Sequence, residues 1–295
     1  MEKEHRRSIF YEVETRRKKD RMKISEVIRR IEEKHVKLDS SRQTCDGVSY
    51  GDIDRECTGI VLTCWPSVRV IREAAGLGCN VILCHEPTFF DGMDETDWLE
   101  DDSICRRKKE LLRETGIVVY RDHDHMHSEM PDMIYSGIVR QLGWEKYAAE
   151  GTDYFPSTKY VLPEMTLQEL GTYVGKCLHI DGIRIIGNPD WRIRNVGLLA
   201  HFFGNELDRA SIRDIERKAL DVIIPLEVID WTIAEYIEDS IALGKRRALL
   251  NVGHFNLEEA GMEQMQGWLR EAVGDDIPIR FVSSGNTYRW METGR

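Results

Sequence analysis

Three neighbouring stretches decide the fold: GIVLTCW at 59–65, GCNVILCHEP at 78–87 and GIVVYRDHDHMH at 116–127. Each carries a short unbroken apolar run, largely β-branched, that stops at polar residues. A strand buried on both faces reads this way. The intervening segments 68–75 and 103–114 read as connecting helices. Strand, helix, strand, helix, strand in this order predicts an α/β fold, with sheets covered by helices.

Working outward, the second half of the chain repeats the order. VGLLAHF at 196–202, ALDVIIPLEV at 219–228 and RALLNVGHFNLE at 247–258 again read as strands separated by helices, at 211–219 and 231–243. Further strands are expected at 159–162, 183–186 and 277–282, and further helices at 134–141, 167–177 and 258–273. Identity between the halves is low. Before the first strand, Ile24, Val27, Ile28 and Ile31 fall at helical spacing, whereas residues 1–21 form a charged, helix-prone extension. The expected organisation is therefore that extension followed by one unit over 22–295. Its two α/β lobes cover about 22–150, together with the C-terminal segment, and about 151–245.

Bulk composition narrows the function. The 295 residues carry 41 Lys and Arg against 52 Asp and Glu, a net charge of −11. Such a surface repels a phosphate backbone, so no nucleic-acid partner is expected. No apolar stretch reaches the length of a membrane span, and the N-terminal residues are charged throughout, which predicts a cytoplasmic protein. The seven cysteines are odd in number and form no CxxC pair; in a reducing compartment they read as free thiols in the core.

Five of the nine histidines sit just past predicted strand ends. Alone, VILCHEP is a strand with a polar cap, and YRDHDHMHSE a solvated loop. Together they are harder to dismiss. His85 and Glu86 point to opposite sides of a strand end that Pro87 stops. If 123–127 turns helical, His123 and His127 share a face and His125 turns away. GHFNLEE repeats that geometry, with His254 and Glu258 four apart. All of these collect at strand carboxyl ends, where open α/β sheets bind ligands. Six imidazole and carboxylate donors, His85, Glu86, His123, His127, His254 and Glu258, suffice for two divalent transition ions, with room for a shared water. A set without thiolate suits zinc, iron or manganese. Two ions sharing one water lower its pKa towards neutrality. His201 and Glu227, at second-half strand ends, and Asp46 in TCDGVSYGD are further candidates for the same pocket, with packing, capping or a turn as the plainer alternatives.

These residues resemble the Nif-three-like dinuclear-metal proteins, often labelled GTP cyclohydrolase I type 2. The resemblance covers most of 22–291. CDGVSYGD stands where members have a W-D-N-x-G-L-x-x-G turn, HEP at 85–87 where they have H-H-P, and HDHMH at 123–127 where they have H-T-N-L-D. PLE at 225–227 matches T-G-E, and GHFNLE at 253–258 matches G-H-x-x-x-E. The resemblance implies that the family's metal ligands fall on the same six residues, between two lobes that face each other across the site. It also implies a ring-shaped homohexamer. Glu86 and His127 depart from the pattern, which has histidine and aspartate there. The expected function is a metal-dependent hydrolase acting on a small polar or cyclic, nucleotide-like substrate. A non-catalytic metal-binding, metal-delivery or regulatory interaction protein is the alternative.

Overall fold

The computed structural model describes residues 22–149, 158–206 and 208–291; the 1–21 extension lies outside them. The chain opens with helix α1 (Ile24–Lys34) and strand β1 (Gly47–Tyr50). It continues through β2 (Ile60–Thr63), α2 (Val68–Gly76), β3 (Val81–Cys84), α3 (Ser103–Thr115), β4 (Val118–Arg121), the single-turn α4 (Asp124–Ser128) and α5 (Met133–Gln141). A second unit holds β5 (Lys159–Thr166), α6 (Leu167–Cys177), β6 (Arg184–Ile186), β7 (Arg192–Leu199), α7 (Asp208–Arg217), β8 (Val222–Pro225), α8 (Glu235–Ala242) and β9 (Ala248–Asn251). Then come α9 (His254–Gln264), α10 (Gln266–Val273) and β10 (Ile279–Phe281), which returns to the first unit.

Two five-stranded mixed sheets result, ordered β1-β4-β3-β2-β10 and β5-β7-β8-β9-β6. Both contain a parallel run, β2-β3-β4 or β7-β8-β9, which β10 extends in parallel beside β2 and β5 flanks antiparallel beside β7. An antiparallel strand, β1 or β6, pairs beside the last strand of each run. The weak sequence repeat is thus a repeat of topology. Every residue of β2, β3, β4 and β8 is buried, which is why those strands read as unbroken apolar runs rather than alternating ones. Helices start where side chains can satisfy their first N–H groups. Ser67 accepts from Val70 N–H at the head of α2, and Thr166 and Glu169 form a reciprocal capping box on α6.

One apolar core runs through both lobes, from Leu62 and Leu83 to Leu198 and Ile224. At its centre α5 crosses α9. A Cβ on Gly137 would lie 2.5 Å from Gly261 Cα, and one on Gly261 would lie 2.8 Å from Ile134 Cα. The two backbones touch, and only glycine permits that approach.

Three expectations shift. Residues 47–50, read as part of a turn, form the edge strand β1; its residues are only partly buried, so no apolar run marked it. The helix expected at 258–273 is two helices meeting at Met265, and the first begins at His254. The second sheet includes β9, so its lobe reaches Asn251, past the expected limit near 245. Among the described residues no helix is long and apolar enough to cross a membrane.

Candidate metal centre

Three strand ends deliver the donors. Past β3, the N–H groups of His85 and Glu86 both donate to Cys64 O, at 3.0 and 2.8 Å, and Pro87 ends the extension. Past β4, Asp46 folds the chain into α4: its carboxylate accepts the backbone N–H groups of His123, Asp124 and His125 at 2.7, 2.8 and 2.9 Å. That turn puts His123 and His127 on one side. Past β9, Gly253 adopts φ 95°, where a side chain would be strained, and opens α9 with His254. Glu258 follows one turn later.

His85, His123 and His127 form a triangle with ring centroids 4.4, 4.9 and 4.8 Å apart. Each Nδ1 points backwards. His85 Nδ1 donates to Asp122 O at 3.2 Å, His123 Nδ1 to Asp124 Oδ1 at 2.9 Å and His127 Nδ1 to Asp132 Oδ2 at 2.8 Å. These acceptors fix the protons on Nδ1 and leave the Nε2 lone pairs as ligating atoms, the arrangement usual behind metal-bound histidines. The three residues offer donor atoms within 4.8 Å of one another.

On the other side of the cluster stand Glu86, His254 and Glu258. His254 Nε2 is 3.0 Å from Glu86 Oε1 and 2.9 Å from Glu258 Oε2, and Glu258 Oε2 is 3.7 Å from His85 Nε2. Glu258 is fully buried, and neither of its carboxylate oxygens has a hydrogen-bond partner; His85 Nε2 and His254 Nε2 also lack one. The distances are short, yet none of these pairs meets the geometry of a hydrogen bond. Removing an anion from water without donors is costly, and a cation among these atoms would offset that cost. The residues therefore fit a metal.

The charges agree. Burial works against ionisation of Glu258, yet the neighbouring His85 and His254 hold its carboxyl well below the usual range. Burial likewise disfavours the His254 cation, but Glu258, Glu227 and Glu86 around it push its pKa up to about 12. His123 moves the other way: burial and the adjacent His85 lower it.

All six residues expected as ligands come together. His201 and Glu227 flank the far side of His254, with Glu227 Oε2 at 3.6 Å from His254 Nδ1 and the His201 ring centroid 4.7 Å from that of His254. Asp46 does not face the pocket. It caps α4 and accepts from His125 Nδ1 at 2.6 Å, which turns His125 away as expected. His35 is buried between Asp122 and Glu129 at 3.0 Å from each, and packs against Trp268. Sequence reasoning missed the supporting carboxylates Asp124 and Asp132. The signal for Asp132 was present: an aspartate before the apolar start of α5, where its other oxygen accepts Tyr135 N–H at 2.8 Å.

A match to the Duf34/NIF3 (NGG1p interacting factor 3) family spans residues 22–287. The chain belongs to that family. A protein of Clostridium acetobutylicum named GTP cyclohydrolase 1 type 2 homolog is 24% identical over 250 residues, covering 81% of this chain and 87% of that protein. The Bacillus cereus protein related to NIF3 superposes with a TM-score of 0.70 at 14% identity, over 92% of this chain and 100% of that one. Reduced HcgD from Methanocaldococcus jannaschii gives 0.61 at 17% identity, over 88% and 97%.

Within this NIF3 chain the two departures from the family pattern lie on opposite sides of the cluster. His127 joins His85 and His123, while Glu86 joins Glu258 and His254. Of the six residues only Glu86 and Glu258 are carboxylates, so the negative charge stands on the Glu258 side. The supporting carboxylates can be tested directly. Asp132→Asn keeps an oxygen to cap α5 but places an amide against His127 Nδ1. Zinc affinity is expected to fall about 10- to 100-fold, while the melting temperature of the metal-free protein moves by only a few degrees. Unchanged affinity in a chelator competition would mean that Asp132 serves the helix alone.

Proposed function

We propose that this NIF3-family chain holds two divalent transition ions of the zinc, iron or manganese kind and acts as a metal-dependent hydrolase on a small polar molecule. The observation that carries the reading is Glu258: a fully buried carboxylate with no hydrogen-bond partner on either oxygen, lying between His85 and His254. His85, His123 and His127 would hold one ion. Glu86 and His254 would hold the other, and Glu258 would serve both. When bound, two such ions supply Lewis acidity and an acidified water for hydrolysis.

The chain's own residues set the conditions. Arg121, buried beneath the site, donates to His85 O at 2.9 Å and lies 3.8 Å from Glu86 Oε2, so it fixes the end of β3 and steadies the Glu86 charge. A cavity of about 420 Å³ opens beside His254 and Glu227. Arg184, Asn251 and Asn286 give it polar walls, and Phe255 and Trp290 apolar ones. That size and lining suit a small molecule with several hydrogen-bonding groups.

The test is metal analysis of protein purified without added metal, followed by screening of cyclic amides and nucleotides with the loaded protein. About two ions per chain are expected, and His254→Ala is expected to lose at least one. A wild type that takes up no zinc, iron or manganese above background sinks the reading. Loading also has a pH sign. In the metal-free protein His254 keeps its proton up to about pH 12, so an ion must displace it at any neutral pH. Apparent affinity is expected to rise with pH, by up to about tenfold per unit for each proton released. Affinity that is flat between pH 6 and 8 would mean that His254 is not a ligand.

A further inference from the structure

We propose that His201, Glu227 and the Nδ1 side of His254 form an outer cation subsite, which takes one further divalent ion of the zinc class. It rests on the two-ion reading for the inner ions and shares only His254 with them, whose ring bridges as an imidazolate, its Nε2 proton released to solvent when the inner ion binds and its Nδ1 proton released when the outer ion binds. The His254 ring meets different groups on its two sides. Nε2 faces Glu86 and Glu258, as above. Nδ1 lies 3.6 Å from Glu227 Oε2, and the same oxygen lies 3.8 Å from His201 Nδ1. Both separations exceed the roughly 3.2 Å limit of an ordinary N–H···O hydrogen bond. They approach the spacing of ligand atoms around one ion, since bonds of about 2.0–2.2 Å at tetrahedral angles put neighbouring ligands roughly 3.3–3.6 Å apart.

Two further observations point the same way. His201 Nδ1 is buried and has no hydrogen-bond partner, so no bond it makes explains why it faces Glu227. Its ring is held by stacking on Phe203, at 4.8 Å between centroids and 13° between planes. The three residues offer donor atoms within 4.8 Å of one another. The subsite is also open, with 47% of the Glu227 side chain exposed and both Glu227 and His254 lining the 420 Å³ cavity. Two imidazoles and a carboxylate with water completing the shell are a donor set that zinc-class ions accept. Repulsion from the inner dications makes this ion the weaker and more exchangeable one.

The experiment is zinc titration of the full chain by calorimetry, with zinc per chain counted after equilibrium dialysis. Wild type is expected to take about three ions per chain, the last at least about tenfold more weakly than the others. His201→Ala, His201→Asn and Glu227→Gln are each expected to lose that last ion. The His201 variants should keep the tight pair. Both His201 variants change a partly exposed residue, so either one that folds decides the matter. A wild type that stops at two ions, or a His201 variant that still takes the third, overturns the subsite and leaves the inner centre standing. Loss of a tight ion in the His201 variants makes His201 an inner ligand and overturns the subsite equally. Failure of the two-ion reading looks different: there Glu258→Gln leaves zinc uptake unchanged.

Discussion

Replacing Glu258 with glutamine is expected to strip most of the metal from the protein while leaving it folded. Glutamine fills the same volume, so the apolar packing around α9 stays. What changes is charge. Glu258 is fully buried and lies within 3.7 Å of His85 Nε2 and 2.9 Å of His254 Nε2. Its anion is therefore within reach of both groups of donors, and in a site that excludes water a missing charge beside two dications is worth several kcal/mol. We expect zinc affinity to fall at least about 100-fold, and occupancy to drop from about two ions to below one. The metal-free variant is expected to keep a cooperative thermal melt, because glutamine removes the attraction to His85 and His254 together with the cost of burying an anion, two effects of opposite sign. Two ions retained against a chelator would remove Glu258 from the centre.

The second large effect lies at the helix crossing. Gly261→Val is expected to destabilise the protein by about 3–4 kcal/mol, a melting-temperature drop of roughly 8–15 °C. A Cβ there would sit 2.8 Å from both Cα and O of Ile134, and backbone atoms cannot swing aside as a side chain can. The helices must separate, and α9 carries Glu258 three residues before the contact. Metal affinity should fall with stability. Gly267→Ala on α10 is the control. Nothing lies within 4 Å of its would-be Cβ, so it is expected to stabilise by about 0.5–1 kcal/mol. Equal effects at both positions would show that helix propensity, and not the close approach, decides the outcome.

The parts of this molecule legible in the sequence are those where one physical demand dominates. Strands β2, β3, β4 and β8 are buried on both faces, so their apolar runs are unbroken. The donors stand at strand ends because they must reach a common pocket, and histidines four apart announce a helical turn. Features set by distant contacts were harder to read. Strand β1 is a partly buried edge whose pairing with β4 comes from far along the chain. Asp46 acts on backbone N–H groups of residues 123–125, and no local pattern links them. His35 meets Asp122 and Glu129, which are remote in sequence, so nothing near it in the chain announces its buried place. The break at Met265 carries no proline, and the nearest glycine falls two residues later, within α10.

The return of β10 to the first sheet has a consequence for the order of events during synthesis. β10 pairs in parallel with β2, although Ile279 is made more than two hundred residues after its register partner Ile60. The lobe begun first is therefore finished last. While the second lobe, complete by Asn251, emerges and folds, β2 waits with an open apolar edge, the kind of edge that invites pairing with a wrong chain. His85, His123 and His127 are made early, but Glu258 and β10 come only after the second sheet. A nascent chain can thus gather His85, His123 and His127 long before Glu258 exists, so the complete donor cluster forms only after the second sheet has been made.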